Sequence, residues 1–198
     1  MSNANAPGAT FWAWFQENAA SYKRFIADRD RDMNMYQRLI AEMAKVDKRI
    51  SPELTIEEGK GVLVLTCNGM REAASALIAF ADEAPEIPGW RVQKFRPPGG
   101  EDMAIEMAGL SLAPKEMKVA YALDKERSLV HLALVIPGYK DTTEFKQIAF
   151  LLLDHSIGEY NTMMHVGGIE FGAPEHAPRN ARLISLEDLR KLIEREFY

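Results

Sequence analysis

Cysteine is almost absent. Cys67 stands alone, so neither an internal disulfide nor a zinc site built from several thiolates is available. Long apolar runs are absent as well: Ile148 to Leu153 is among the longest, against the roughly 18 to 20 residues needed to cross a bilayer. Basic charge is in deficit. The 24 Lys and Arg fall short of 29 Asp and Glu, a net charge of -5, which is the reverse of the bias expected for a protein that grips a nucleic-acid backbone. The start also lacks the basic residues, apolar run and small-residue cleavage site of a secretory signal. These absences predict a cytoplasmic protein with no membrane and no nucleic-acid partner. What is present is ordinary globular material: 47% apolar and 27% charged residues exclude a disordered or collagen-like chain.

Residues 1–10 read as a flexible leader and 11–198 as a single α+β domain. Within it, 11–50 form a helical arm. Phe11, Trp12, Phe15, Ala19, Tyr22 and Ile26 follow helical spacing, and Met33, Tyr36, Leu39, Ile40 and Met43 resume it. A sheet with crossover helices is expected over 51–171. Leu54 to Ile56 and Val62 to Thr66 read as a hairpin turning at Glu58-Gly59-Lys60-Gly61, followed by a helix over Met70 to Ala84 and a strand over Trp90 to Phe95. Further strands are expected at Met103 to Met107, Val119 to Leu123 and Leu129 to Ile136. Asp141 or Thr142 opens a helix that closes at Gly158. Ile148 to Leu153 is apolar nearly all round, which predicts burial on more than one side. Met163 to Phe171 reads as the last strand. Over 172–198, a loop with Pro174 and Pro178 leads to a helix begun by Ser185.

Two strand–helix–strand units stand out, Val62 to Phe95 and Leu129 to Phe171. Sharing one sheet, they would make a ferredoxin-like sandwich built from two βαβ units, with an inserted hairpin, an N-terminal helical arm and a C-terminal helix. The opening Phe11-Trp12-Ala13-Trp14-Phe15 and the segment Leu153-Asp154 to Gly158-Glu159-Tyr160 resemble small bacterial proteins of unknown function found in genome surveys. That resemblance implies no reaction, cofactor or catalytic residue.

The densest chemistry lies at Asp154, His155, Glu159, His165 and Glu170. Imidazole and carboxylate together bind a divalent metal or exchange a proton, so Asp154, His155, Glu159 and His165 are the catalytic candidates and His155, Glu159 and His165 the metal candidates. The spacing is poor for either role. Gly158 separates His155 from Glu159, and residues 165 and 170 face opposite sides of a regular strand. Asp154, in the last turn of a helix, meets the negative end of the dipole and is expected to accept hydrogen bonds from the following loop or to pair with an arginine such as Arg179 or Arg182. Cys67 sits where a helix N-terminus could activate a thiol, but it ends the apolar run from Val62 and reads as buried. Gly59 and Gly61 read as turn residues, Gly167-Gly168 as a bulge or close backbone contact. His176, Arg179 and Arg182 read as a solvated connection, and Arg190, Lys191 and Arg195 as a solvated helix face.

The aromatic opening reads differently. Four large rings within Phe11 to Phe15 span more than half a helix circumference, which marks Trp12, Trp14 and Phe15 as interaction candidates, with Trp14 outermost. The expected function is a non-catalytic protein-interaction or regulatory module, acting on a protein partner or on itself as a homodimer, with no cofactor. The competing expectation is a small-molecule or metal-dependent enzyme using the region from Asp154 to Glu170.

Overall fold

A computed structural model describes residues 7–30, 32–100, 102–107, 110–177 and 181–198. The chain divides into two compact units, Met1–Arg96 and Pro97–Tyr198. Residues 7–10, expected in the leader, are already helical, and residues 1–6 lie outside the described residues.

The N-terminal unit begins with α1 (Pro7–Ala27) and α2 (Met33–Ala44), the latter capped by the Asp32 carboxylate accepting from the Asn34 amide at 3.0 Å. β1 (Ser51–Glu57) and β2 (Lys60–Thr66) form an antiparallel hairpin. Its turn is only Glu58-Gly59, both at positive φ (50° and 76°), the two-residue turn whose twist matches the strands. Gly61 belongs to β2. It pairs with Trp90, whose ring covers it so closely that a Cβ there would sit 2.7 Å from ring carbon. The expected helix over 70–84 is shorter, a tight turn at Arg71–Ala73 leading into α3 (Ala74–Asp82). β3 (Trp90–Lys94) then lies parallel to β2, giving the order β1-β2-β3.

The C-terminal unit repeats this path with additions. A short hairpin of β4 (Ile105–Met107) and β5 (Leu110–Leu112) precedes the antiparallel pair β6 (Lys118–Asp124) and β7 (Leu129–Val135). α4 (Thr143–Ile157) starts where the Thr142 hydroxyl accepts from the Phe145 amide at 3.2 Å. It stops at Gly158, whose φ of 86° no helix accommodates. The chain does not become extended there. Thr162 and Asn161 bond back to the carbonyls of Gly158 and Ile157, and α5 (Glu159–His165) forms. The expected strand from Met163 is therefore helical up to His165, and β8 (Val166–Gly172) runs parallel to β7. The register slips at Gly167, which is the bulge expected of the glycine pair. After β8 the chain returns to β6, where Val119 and Ile184 exchange two backbone hydrogen bonds of 2.9 and 3.0 Å. α6 (Leu186–Phe197), capped by Ser185, closes the unit.

The class is α+β as expected, but the ferredoxin-like arrangement is not the observed strand order. Each crossover unit keeps its own three-stranded sheet, β1-β2-β3 and β6-β7-β8. The reason is local: each hairpin supplies the central strand's second neighbour, so β2 and β7 have both edges filled within their own unit. Among the described residues no helix is long and apolar enough to cross a membrane.

Candidate functional site

The residues from Asp154 to Glu170 fold into three separate environments. His155, in the last turn of α4, holds the segment entering the C-terminal unit: its carbonyl accepts from the Gly99 amide at 2.7 Å, and its Nε2 lies 3.2 Å from the Gly100 carbonyl oxygen. Gly99 rests on the imidazole so closely that a Cβ there would fall 1.9 Å from ring carbon. Asp154 is half-buried beside it; Arg179 lies outside the described residues, and Arg182 is exposed. Glu159 is fully buried in the first turn of α5. Its carboxylate there meets the favourable end of the backbone dipoles.

His165 ends α5 in an aromatic setting. Its Nδ1 lies 3.0 Å from the Ser128 carbonyl oxygen, its ring stacks on Phe197 at 4.8 Å, and Tyr160 and Tyr198 meet it edge-on. Tyr198 donates to the Asn161 side chain at 2.9 Å. Desolvation of that hydroxyl, with Tyr160 and Glu194 nearby, pushes its pKa up to about 12 even though the residue as a whole is exposed. Glu170 is exposed on β8 beside Ala133 of β7. The metal candidates His155, Glu159 and His165 thus anchor a loop, a helix start and an aromatic cluster respectively. Among the described residues no group of three His, Cys, Asp or Glu is placed to hold a metal ion. Cys67 is fully buried at the end of β2. His176 is exposed at the edge of a small hollow formed with β7 and β8.

The aromatic opening is mostly interior. Trp12 stacks on Phe80 at 4.8 Å and donates its indole N–H to the Phe80 carbonyl at 3.1 Å. Phe15, with no exposed surface, stacks on Tyr22 and meets Trp90 edge-on at 5.1 Å. Trp14 is half-buried between Phe11 and Tyr22, with the Arg38 guanidinium 5.5 Å from its ring centre. A cation over an indole contributes about 0.5–2 kcal/mol. Its own N–H is buried with no partner among the described residues. The rings of Trp12 and Phe15 are committed to the core of their own unit, and Trp14 alone of the three keeps an accessible edge.

A contiguous accessible apolar surface lies on α4. α4 buries Phe145, Ile148, Ala149, Leu152 and Leu153, but Phe150 and Leu151 remain 43% and 45% exposed. α4 packs against α5, α6, β4 and β5, so the run from Ile148 to Leu153 is covered from more than one side, but Phe150 and Leu151 stay outside that cover. Phe150, Leu151 and Phe171 of β8, with Thr143, Lys146 and Gln147, line a groove of about 550 Å³. At its rim Lys146 pairs with Asp141 at 2.5 Å. Hydrogen bonding to each other raises the Lys146 pKa and lowers that of Asp141. The signal in the sequence was the run itself: six consecutive apolar residues are more than one face of a helix can bury. Comparison of the chain with protein-family models, with curated proteins and with solved structures returns no match in any of the three.

Proposed function

We propose that this chain is a non-catalytic protein-interaction module working in the cytoplasm, and that its contact surface is the groove between α4 and β8. The carrying observation is the adjacent pair Phe150 and Leu151, left 43% and 45% exposed beside Phe171. A contiguous apolar groove with a charged rim is the ordinary form of a protein contact site. The ion pair at the rim limits the charge a partner must match, which favours an apolar contact over capture of an ionic ligand. The competing enzyme reading would need the residues between Asp154 and Glu170 to act on one bound molecule. Their separate anchoring contacts at Gly99, Ser128 and the start of α5 give that reading no supporting geometry.

The test is site-specific photocrosslinking in cells. A photoreactive phenylalanine analogue at position 150 is expected to yield covalent protein adducts, with itself or with another chain. The same analogue at Ala13, exposed on α1, is expected to yield none. Equal labelling at both positions, or none at 150 and 151, overturns the proposal.

A further inference from the structure

We infer that the occupant of the groove is a second copy of this chain, joined by antiparallel pairing of β8 with β8 about a two-fold axis at Ile169. This rests on the interaction reading above and names its partner. The first observation is the contrast between the two edges of one sheet. β6 and β8 are the outer strands. The outer side of β6 takes one bridge near its start, where Val119 and Ile184 exchange two backbone hydrogen bonds, whereas among the described residues β8 receives no backbone partner on its outer side. Natural sheets blunt such an edge with Lys, Pro or a bulge; Val166–Gly172 contains no Lys or Pro, and its bulge is confined to Gly167 at one end. An uncovered edge is a template for strand addition.

The second observation is that β8 is complementary to itself. Antiparallel pairing centred on Ile169 sets Glu170 against Gly168, twice by symmetry, so each carboxylate side chain meets a position with none; the bulge at Gly167, whose Cβ position faces His131, ends this regular register. The two Glu170 carboxylates do not face each other. This is the isologous form that a two-fold contact requires.

The third is charge. His131 pairs with Gly168 across β7 and β8, and its ring lies over the glycine pair: a Cβ on Gly168 would be 3.3 Å, and on Gly167 2.9 Å, from the imidazole. The ring therefore leans toward the uncovered edge. In the centred register Glu170 of the second copy falls opposite Gly168, on the same face as His131. Two strand spacings, about 10 Å between Cα atoms, are spanned by an imidazole already lying across the gap and an extended glutamate. On the other face, Ile169 and Phe171 point toward α4. Phe150 and Leu151 of both copies would then meet over a continuous six-stranded sheet.

Sedimentation across a concentration series, combined with cysteine crosslinking, tests this. Wild-type protein is expected to dimerise, and Leu151→Glu, at an exposed position, is expected to weaken the dimer at least about tenfold. Glu170→Lys is expected to weaken it about fivefold, with His131→Glu restoring the loss in the double variant. Ile169→Cys places two thiols at the axis and is expected to form an intermolecular disulfide on mild oxidation. Glu170→Cys, whose thiols would be separated by about 8 Å between Cα atoms, is expected not to. Crosslinking at 170 in place of 169, or a dimer that persists without the 169 crosslink, overturns the strand pairing. A wild-type protein that stays monomeric while photocrosslinking at 150 captures another protein overturns the second copy and leaves the interaction reading standing. Absence of both signals overturns the two together.

Discussion

The two units follow one chain path: an antiparallel hairpin, a helix, and a strand parallel to the hairpin's second arm. They finish their surfaces in opposite ways. In the N-terminal unit the outer strands carry Pro52, Glu53 and Glu57 on β1 and Arg91 and Lys94 on β3. Arg91 pairs with Glu57 and Lys94 with Asp82, so the edges are charged and tied down. Its core is aromatic, packed ring against ring from α1 onto the sheet. The C-terminal unit has an aliphatic core under α4 and α6, one edge bridged at Val119 by Ile184, and one edge of glycine, isoleucine and phenylalanine with a single charge, Glu170. Shared topology therefore says little about where a protein makes contact. The side chains that finish the edges say more.

The largest expected effect comes from exchanging core for rim. Phe15→Ala removes a fully buried ring and is expected to cost about 3–5 kcal/mol. Phe150→Ala, at a half-wet position of α4, is expected to change monomer stability by no more than about 0.5 kcal/mol. Denaturant unfolding measures both, and Trp fluorescence follows the N-terminal unit because Trp12, Trp14 and Trp90 all lie there. Equal losses would break the comparison.

A middle-sized effect separates the two glycine contacts. Gly61→Ala drives a methyl into the buried Trp90 ring and is expected to destabilise by about 1–3 kcal/mol. Gly167→Ala meets only the exposed His131 ring, which can swing aside, so its cost is expected to be smaller. Thermal unfolding of the matched pair, in which the second variant lost more, would place His131 in a rigid setting.

The smallest effects are in pH. In the N-terminal unit, hydrogen bonds from Arg49 hold Asp47 at about 2, below its ordinary 3.8. The pairing is fully present above the ordinary value and is lost as pH falls through about 2. In the C-terminal unit Tyr198 is raised from 10.0 to about 12. Its contribution is complete below the ordinary value and is lost as pH rises toward 12. Asp47→Asn should flatten the acid limb of a stability profile, and Tyr198→Phe the alkaline limb. Both effects on stability are expected to be slight because solvent reaches both residues. A variant profile that overlays wild type would remove that group from the account.

Helix caps, hairpins and crossovers could be read from local pattern: Thr142 and Ser185 start the helices expected of them. Spacing could not reveal that each hairpin keeps its own sheet, because strand pairing between distant segments leaves no mark in a single sequence. The strand read at Met163 failed for a physical reason. Gly158 breaks one helix, and Asn161 and Thr162 restart another by bonding backward. The scattered positions of His155, Glu159 and His165 depend on where α5 ends and on Ser128 and Gly99, all distant choices. The groove is half legible: the apolar run stands in the sequence, but which of its faces stays wet depends on how α4 meets α5, α6 and the β4–β5 hairpin.

The bridge between β6 and Ile184 has a consequence for synthesis. Translation proceeds from the N-terminus, so β6 emerges long before the segment that bridges its outer edge. Until Ile184 has been made, the nascent unit carries two unbridged edges instead of one, a state open to wrong pairing with neighbouring chains. A chain released before Ile184 is made therefore leaves the outer side of β6 without the bridge that Val119 and Ile184 form.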